Sequence, residues 1–232
     1  MSLIVALQGR DELVFASDTL GWDAMKEGYY KFQVSKLRVL SRNWILGSAG
    51  TGIGADLQEQ IEASTESFGS DIDLGARAYA RRTAELYRRC RYVGETSFLL
   101  GGFNRQGPVL YRWSFPEFSG AVRCRAGRAA IGIGEHGAMY FAAAYHTESM
   151  TTETRMLLAH FCIHEVTRRD PQVGTPIELA VARHDGVRTC SPNELASLHR
   201  ESEALTTYIS TRFSSPGMPR APLLERELAP SE

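Results

Sequence analysis

The chain has 232 residues, with 26 Lys and Arg against 27 Asp and Glu and a formal net charge of −1. This balance argues against a nucleic-acid or membrane-surface protein, since both need a clustered basic face. Hydrophobic residues make up 43% and charged residues 23%, as in an ordinary globular chain, and a chain of this length can bury a full core. No apolar run approaches the ~20 residues of a membrane span.

The cysteines and the start of the sequence indicate the compartment. Four cysteines without Cys-x-x-Cys spacing predict neither a zinc knuckle nor a dense disulfide framework. Met1 is followed at once by Ser2 and a strand-like run, without the basic segment and small-residue cleavage site of a secretory signal. We therefore expect a cytoplasmic, globular protein. Composition gives no information about the chemistry, and we expect no cofactor.

The first part of the chain reads as two hairpins followed by two helices. Runs rich in β-branched residues at 2–8 and 12–17 are joined by a polar Gly-Arg-Asp link, and a second pair lies at 36–40 and 44–48. The spacing of apolar residues then changes from that of strands to that of helices. The two helices are predicted at 52–68 and 74–92.

The pattern of strands followed by helices then recurs. The predicted strands are 97–103, 109–114, 120–125, 129–133, 177–183 and 187–189. The predicted helices are 137–146, 151–169 with a cap at Thr151, and a last one from the cap at Ser191 to about residue 213. The proline-containing tail, 214–232, is expected to be disordered.

Hairpins grouped between helix pairs favour an α+β fold. Strands that succeed one another in hairpins form antiparallel sheets, and a helix covers a sheet on its apolar face. We therefore predict two antiparallel sheets packed face to face, with helices on the outer faces. No linker interrupts residues 1–213, so a single domain is expected there.

Six short segments occur in the order found in one known family. They are 2–6 (SLIVA), 14–18 (VFASD), 35–40 (SKLRVL), 47–52 (GSAGTG), 99–103 (LLGGF) and 177–181 (IELAV). Over residues 2–190 the chain resembles proteasome β-type subunits, which are N-terminal nucleophile (Ntn) hydrolases. The resemblance implies a four-layer αββα sandwich, which agrees with the antiparallel sheets inferred above. It also implies a peptide or protein substrate and a homo-oligomeric ring, while any ATPase partner stays open.

The resemblance also implies a set of site residues. Ser2 takes the nucleophile position, where the family commonly has Thr, and Asp18 follows sixteen residues later at the family's spacing. Lys36 would supply positive charge beside the hydroxyl, and Asp18 would pair with it. The backbone N–H of Gly50 would donate to the oxyanion. Asp170 matches an acid in the loop after the family's fourth helix.

The chemistry of Ser2 depends on Met1. A serine hydroxyl needs a base beside it, and a free α-amine, with a pKa of about 7.7–8.0, can serve as that base. If Met1 is removed, Ser2 carries its own base; if Met1 stays, the amine is an amide and the base is lost. We therefore expect an N-terminal nucleophile peptidase or amidohydrolase, provided that Met1 is removed.

Two positions depart from the family pattern. The family has Gly-Ser-Gly before its third helix, where this chain has Gly132-Ile133-Gly134. The family also has Ser three residues after the acid that matches Asp170, where this chain has Val173. Both missing hydroxyls belong to groups that orient the amine. The alternative is therefore a non-catalytic subunit that keeps the fold and forms a ring without turnover.

Three other patterns suggest competing functions. Residues 132–137 fit Gly-x-Gly-x-x-Gly, but a second helix follows where a dinucleotide fold needs a parallel strand, so close helix–strand packing is the favoured interpretation. His160 and His164 have a spacing that can bind zinc, yet a buried or solvated helix face explains them better. An arginine cluster on the helix at 74–92 is interpreted as a solvated face or a subunit contact, without nucleic acid. Its members are Arg77, Arg81, Arg82, Arg88, Arg89 and Arg91.

Overall fold

The computed structural model describes residues 2–25, 28–50, 71–89, 91, 94–117 and 120–214. The helix predicted at 52–68 and the predicted disordered tail beyond Ser214 lie outside these residues. The described strands are β1 Leu3–Gln8, β2 Glu12–Asp18, β3 Leu20–Met25, β4 Gly28–Gln33, β5 Leu37–Ser41, β6 Trp44–Gly50, β7 Thr96–Asn104, β8 Gly107–Phe115, β9 Val122–Arg123, β10 Arg128–Gly132, β11 Ile177–Arg183 and β12 Gly186–Thr189. The described helices are α1 Ile72–Arg89, α2 Glu135–Tyr145, α3 Thr152–Thr167 and α4 Pro192–Ser214.

The strands form two five-stranded sheets in which every described pair is antiparallel. The first sheet has the order β10-β1-β2-β11-β12, and the second has the order β5-β6-β7-β8-β9. The predicted hairpins β1–β2, β5–β6, β7–β8 and β11–β12 all pair as expected. The chain crosses between the sheets after β9, since β9 pairs with β8 whereas β10 pairs with β1.

The sequence analysis missed one hairpin. β3 and β4 pair with each other in a separate two-stranded sheet, with Leu20 opposite Gln33. They lie in the stretch between Asp18 and Lys36, where the sequence pattern predicts no element. The strand predicted at 120–125 is shorter than expected, since only Val122–Arg123 is extended and paired.

Three apolar clusters show how the layers stack. One lies between the two sheets and joins Ile4 and Phe15 of the first sheet to Ile45 and Leu99 of the second. A second packs the other face of the first sheet against α2 and α3, and the third packs α1 on the second sheet. Alternate side chains of a strand point to opposite faces, so each sheet contributes to two of these clusters. The order helix, sheet, sheet, helix confirms the four-layer αββα sandwich.

The predicted caps define two helix starts. The Thr151 hydroxyl accepts a hydrogen bond from the N–H of Thr154 (3.2 Å) at the start of α3. At α4, Ser191 accepts from the N–H of Glu194, and the Glu194 carboxylate accepts in return from the N–H of Ser191 (2.8 Å). This reciprocal pair is a capping box, which satisfies N–H groups that the first helical turn leaves unbonded. In the described residues, no helix is both long enough and apolar enough to cross a membrane.

Candidate active site

The β1–β2 hairpin brings Ser2 and Asp18 to the same end of the first sheet. Ser2 directly precedes β1 and Asp18 is the last residue of β2, with Ile4 opposite Ser17 in the register. The N–H of Leu3 donates to Oδ1 of Asp18 at 2.7 Å. The acid that the sequence analysis paired with Ser2 is therefore hydrogen-bonded to the peptide group that follows Ser2.

Lys36 completes the ion pair expected beside Ser2. Its Nζ lies 2.7 Å from Oδ1 of Asp18, and the two side chains are 5% and 0% exposed. Nζ also donates to the carbonyl of Leu20 at 2.8 Å. Because Leu3 and Lys36 donate to the same carboxylate oxygen, the ammonium lies within two hydrogen-bond lengths of the Leu3 nitrogen. Burial lowers the pKa of Lys36, and the Asp18 carboxylate opposes this shift.

Ser2 lies at the wall of a cavity of about 600 Å³. The residue is 7% exposed, and its carbonyl accepts a hydrogen bond from the N–H of Ile133 at 2.9 Å. Gly50 and residues 132–136 line the same cavity. Its rim also carries charge, since Arg112 pairs with Glu135 at 3.3 Å. A concave space that opens on a held serine is a suitable position for a substrate.

Two glycines let the backbone approach closely at this site. Gly50 ends β6 with a φ of 133°, and a Cβ there would lie 2.3 Å from the carbonyl oxygen of Glu95. Gly132 ends β10 with a φ of 97°, and a Cβ there would lie 1.9 Å from the carbonyl oxygen of Ser2. Positive φ values and such short distances both require glycine.

Asp170 lies in the turn after α3. Its carboxylate accepts from the N–H of Gln172 (2.9 Å) and its carbonyl from the N–H of Val173 (3.2 Å). Among the described residues, no hydrogen bond joins Asp170 directly to Ser2 or to Lys36. The turn nevertheless reaches the site, because the N–H of Gly174 donates to Oδ2 of Asp18 at 3.3 Å. The structure therefore brings Ser2, Asp18, Lys36 and Gly50 together. Asp170 lies in the adjacent turn, which contacts Asp18 through Gly174.

The two departures from the family pattern lie close to the same place. Ile133 is half-buried at the cavity wall and holds the Ser2 carbonyl through its backbone. Val173 is 3% exposed and packs into the apolar cluster under the first sheet. Neither side chain offers the hydroxyl that the family pattern has at these positions.

Sequence reasoning missed two groups from the C-terminal part of the chain that also contact Asp18 or Lys36. One is the backbone N–H of Gly174, for which the sequence carries no signal. The other is Glu178 on β11, whose carboxylate accepts a hydrogen bond from the backbone N–H of Lys36 at 2.6 Å. Glu178 could have been noticed as the one acid in the otherwise apolar run 177–182.

The competing motifs have structural explanations. Gly134 of the Gly-x-Gly-x-x-Gly segment has a φ of 79°, and a Cβ there would lie 2.4 Å from Cγ1 of Val166. Val166 belongs to α3, so this glycine packs closely against a helix and not, as the sequence analysis favoured, against a strand. His160 and His164 are both buried, and together with His199 they form a ring cluster between α3 and α4. No group of three or more His, Cys, Asp or Glu in the described part of the chain is arranged to hold a metal ion.

The arginine cluster follows the solvent side of α1. All six of its arginines are exposed, whereas Ala76, Ala80, Ala84 and Tyr87 are buried against the second sheet. The helix therefore has one apolar and one basic face, which fits both the solvated-face and the subunit-contact interpretations.

Comparisons with known proteins indicate one family. A family model described as Proteasome subunit matches residues 2–182. Proteasome subunit beta 2 of Caldivirga maquilingensis is 26% identical over 194 residues, with 78% of this chain and 90% of that protein covered.

Solved structures show the same fold at lower identity. Anbu of Yersinia bercovieri, described as an ancestral beta-subunit, has a TM-score of 0.76 at 13% identity. The Gly-1 mutant of Anbu from Hyphomicrobium sp. strain MC1 has a TM-score of 0.76 at 19% identity. In both comparisons 94% of this chain and 99% of the other chain are covered.

Proposed function

The chain belongs to the proteasome subunit family, and we propose that it is an amide-bond hydrolase in which Ser2, freed by removal of Met1, is the nucleophile. The observation that supports this most directly is the position of Ser2. It lies at the wall of a cavity of about 600 Å³, and its neighbour Leu3 donates to the same Asp18 oxygen as the buried Lys36 ammonium. A buried charge pair beside a serine is an arrangement that activates a nucleophile.

The proposed reaction uses groups of this chain alone. The neutral α-amine of Ser2 takes the hydroxyl proton as Oγ attacks the amide carbonyl carbon. The N–H of Gly50 donates to the resulting oxyanion, and the Lys36 ammonium stabilises negative charge near Oγ. The protonated amine then gives its proton to the leaving nitrogen, the C–N bond breaks, and an ester on Ser2 remains. Water attacks this ester with the amine again as base, which releases the carboxylic acid and restores Ser2.

Several further features belong to the proposal. We place the catalytic set at Ser2, Asp18, Lys36 and Gly50, with Asp170 shaping the turn that delivers Gly174 to Asp18. The substrate is proposed to be a peptide or protein. Residues 1–213 are proposed to form one domain, and copies of this chain to assemble into a ring.

A second candidate function is a non-catalytic ring subunit. Ile133 and Val173 favour it, because each replaces a hydroxyl that the family pattern places near the amine. Without those hydroxyls the amine of Ser2 has fewer groups to orient it. The two candidates differ in whether Ser2 is free and reactive.

Intact mass spectrometry combined with an acylating probe separates the two. We expect the wild-type mass to lack Met1 and a β-lactone probe to add one equivalent, mapped to Ser2. Ser2→Ala should lose the label, whereas Ser197→Ala, on α4, controls for unspecific serine acylation and should keep it. If Met1 is retained and the probe labels neither the wild type nor Ser2→Ala, the hydrolase proposal is contradicted. The non-catalytic ring subunit then remains.

A further inference from the structure

Glu178 lies where β11, β2 and the segment before β5 meet. It is opposite Ser17 in the register of β11 with β2, one residue before Asp18. Its neighbours Ile177 and Leu179 belong to the cluster under α3, whereas Ala180 belongs to the cluster between the sheets. Because side chains alternate along a strand, Glu178 shares the face of Ala180, toward the second sheet.

The Glu178 carboxylate accepts four hydrogen bonds. Oε1 accepts from the Ser17 hydroxyl (2.7 Å), the N–H of Lys36 (2.6 Å) and the N–H of Leu37 (3.1 Å). Oε2 accepts from the Ser35 hydroxyl at 2.6 Å. Three of these donors come from the consecutive residues 35–37. A single side chain thus fixes the backbone on both sides of Lys36 to the first sheet.

This carboxylate and Asp18 hold Lys36 at its two ends. Asp18 holds the ammonium at 2.7 Å, and Glu178 holds the backbone nitrogen of the same residue at 2.6 Å. Hydrogen bonds to an ionised acceptor are stronger than those between neutral groups, so the position of Lys36 is defined by both of its ends. Glu178 also brings a second negative charge near Lys36, in addition to that of Asp18.

We propose that Glu178 is a positioning residue of this site, which fixes the segment of Lys36 and supports its ammonium charge beside Ser2. The inference rests on the proposed hydrolase for its effect on catalysis. The effect of Glu178 on the charge of Lys36 does not depend on the proposed hydrolase, because it is present whether or not Ser2 reacts. Glu178 raises the pKa of Lys36 and so opposes the lowering caused by burial.

Two variants distinguish an effect of Glu178 on Lys36 from a general loss of fold stability. Glu178→Gln keeps the length of the side chain and an oxygen acceptor for the backbone, and it removes the charge. Glu12→Gln is the matched control, because Glu12 on β2 is also a half-buried acid, paired with the buried Arg155 away from the cavity. Both variants lose an ionised acceptor, so a merely structural effect should appear in both.

The first readout follows Lys36 itself. The sequence has three lysines, Lys26, Lys31 and Lys36, so ¹³C-lysine labelling gives three Cε signals, of which Lys36→Met assigns one. In Glu178→Gln we expect Lys36 to titrate at a lower pH than in the wild type, and in Glu12→Gln at the wild-type pH. An unchanged Lys36 titration in Glu178→Gln would overturn the inference.

The second readout is the rate of Ser2 acylation by the β-lactone probe as a function of pH. We expect Glu178→Gln to react about 10-fold or more slowly, since a displacement of about 1 Å at a catalytic group can cost about 100-fold. Its rate should also decline at a lower alkaline pH than that of the wild type. Equal slowing in Glu12→Gln would make the effect structural and overturn the inference. If wild-type Ser2 does not react at all, the proposed function fails, while the Lys36 titration still decides the role of Glu178.

Discussion

At the scale of single residues, Gly132 shows how closely the site is packed. Its φ is 97°, and a Cβ added at this position would lie only 1.9 Å from the carbonyl oxygen of Ser2. Gly132→Ala should therefore push the Ser2 backbone out of place, reduce Ser2 acylation at least about 100-fold and destabilise the fold by about 1–3 kcal/mol. Probe labelling and chemical denaturation measure the two effects.

Gly137 provides the control for this substitution. It belongs to the same glycine-rich segment but lies inside α2, where a Cβ would meet Cγ2 of Val166 at an ordinary 3.5 Å. Gly137→Ala should leave acylation unchanged and gain up to about 1 kcal/mol of stability, because alanine is favoured over glycine in a helix. Equal labelling of Gly132→Ala and Gly137→Ala would contradict the close contact at Ser2.

The residues that could be predicted from sequence are those tied to recognisable positions. Asp18 ends a clear strand, Lys36 precedes another, and both stand at spacings that resemble a known family. Glu178 is the one acid of the family-like segment 177–181, but nothing in that segment indicates its contact with Lys36, which lies 142 positions earlier in the chain. Such a contact exists only after β11 has paired with β2, which local patterns do not encode. The roles of Ser2, Asp18, Lys36, Gly50 and Asp170 all stay predictions, and the hydrogen bonds of Asp170 are local to its own turn.

At the scale of elements, a buried hydrogen bond helps to attach α1 to the second sheet. The indole N–H of Trp113 donates to the hydroxyl of Thr83 at 3.0 Å, and both side chains are buried. Thr83→Val keeps the shape but leaves the indole N–H without its acceptor, so we expect a loss of about 1–3 kcal/mol of unfolding free energy. Thr167→Val, which removes a half-buried hydroxyl that donates to the carbonyl of His164, serves as control. Equal losses in the two variants, measured by denaturation, would contradict this role of the indole bond.

The strands that are buried on both faces were predicted well, whereas the hairpin of β3 and β4 was not. β1, β2 and β11 carry continuous apolar runs because both of their faces are covered, and their positions follow from sequence. β3 and β4 form a two-stranded sheet of their own and contain glycines and charged residues, which strands usually lack. Phe32 and Gln33 at the end of β4 are exposed.

At the scale of the whole molecule, α4 is attached to the sandwich partly through histidines. The rings of His160 and His164 on α3 and His199 on α4 have centroids 5.4–6.2 Å apart. The Ser202 hydroxyl bonds Nδ1 of His160 at 2.8 Å, Glu203 lies 3.5 Å from His164, and Glu165 borders the cluster from α3. Burial, with the neighbouring histidines, lowers the pKa of His160 to about 4, and burial lowers the pKa of His164.

These shifts predict that acid weakens the fold through this cluster. A histidine whose pKa is lower in the folded chain than its ordinary 6.5 binds its proton more readily when unfolded. Its stabilising contribution is therefore present above about pH 6.5 and is lost as the pH falls toward 4. For His160 the loss is roughly 3 kcal/mol when complete. Denaturation curves across this range should show a smaller pH dependence in His160→Gln than in wild type. His184→Gln, at the exposed β11–β12 turn, should follow the wild type. A pH dependence of His160→Gln that matches wild type would show that other groups cause the acid sensitivity.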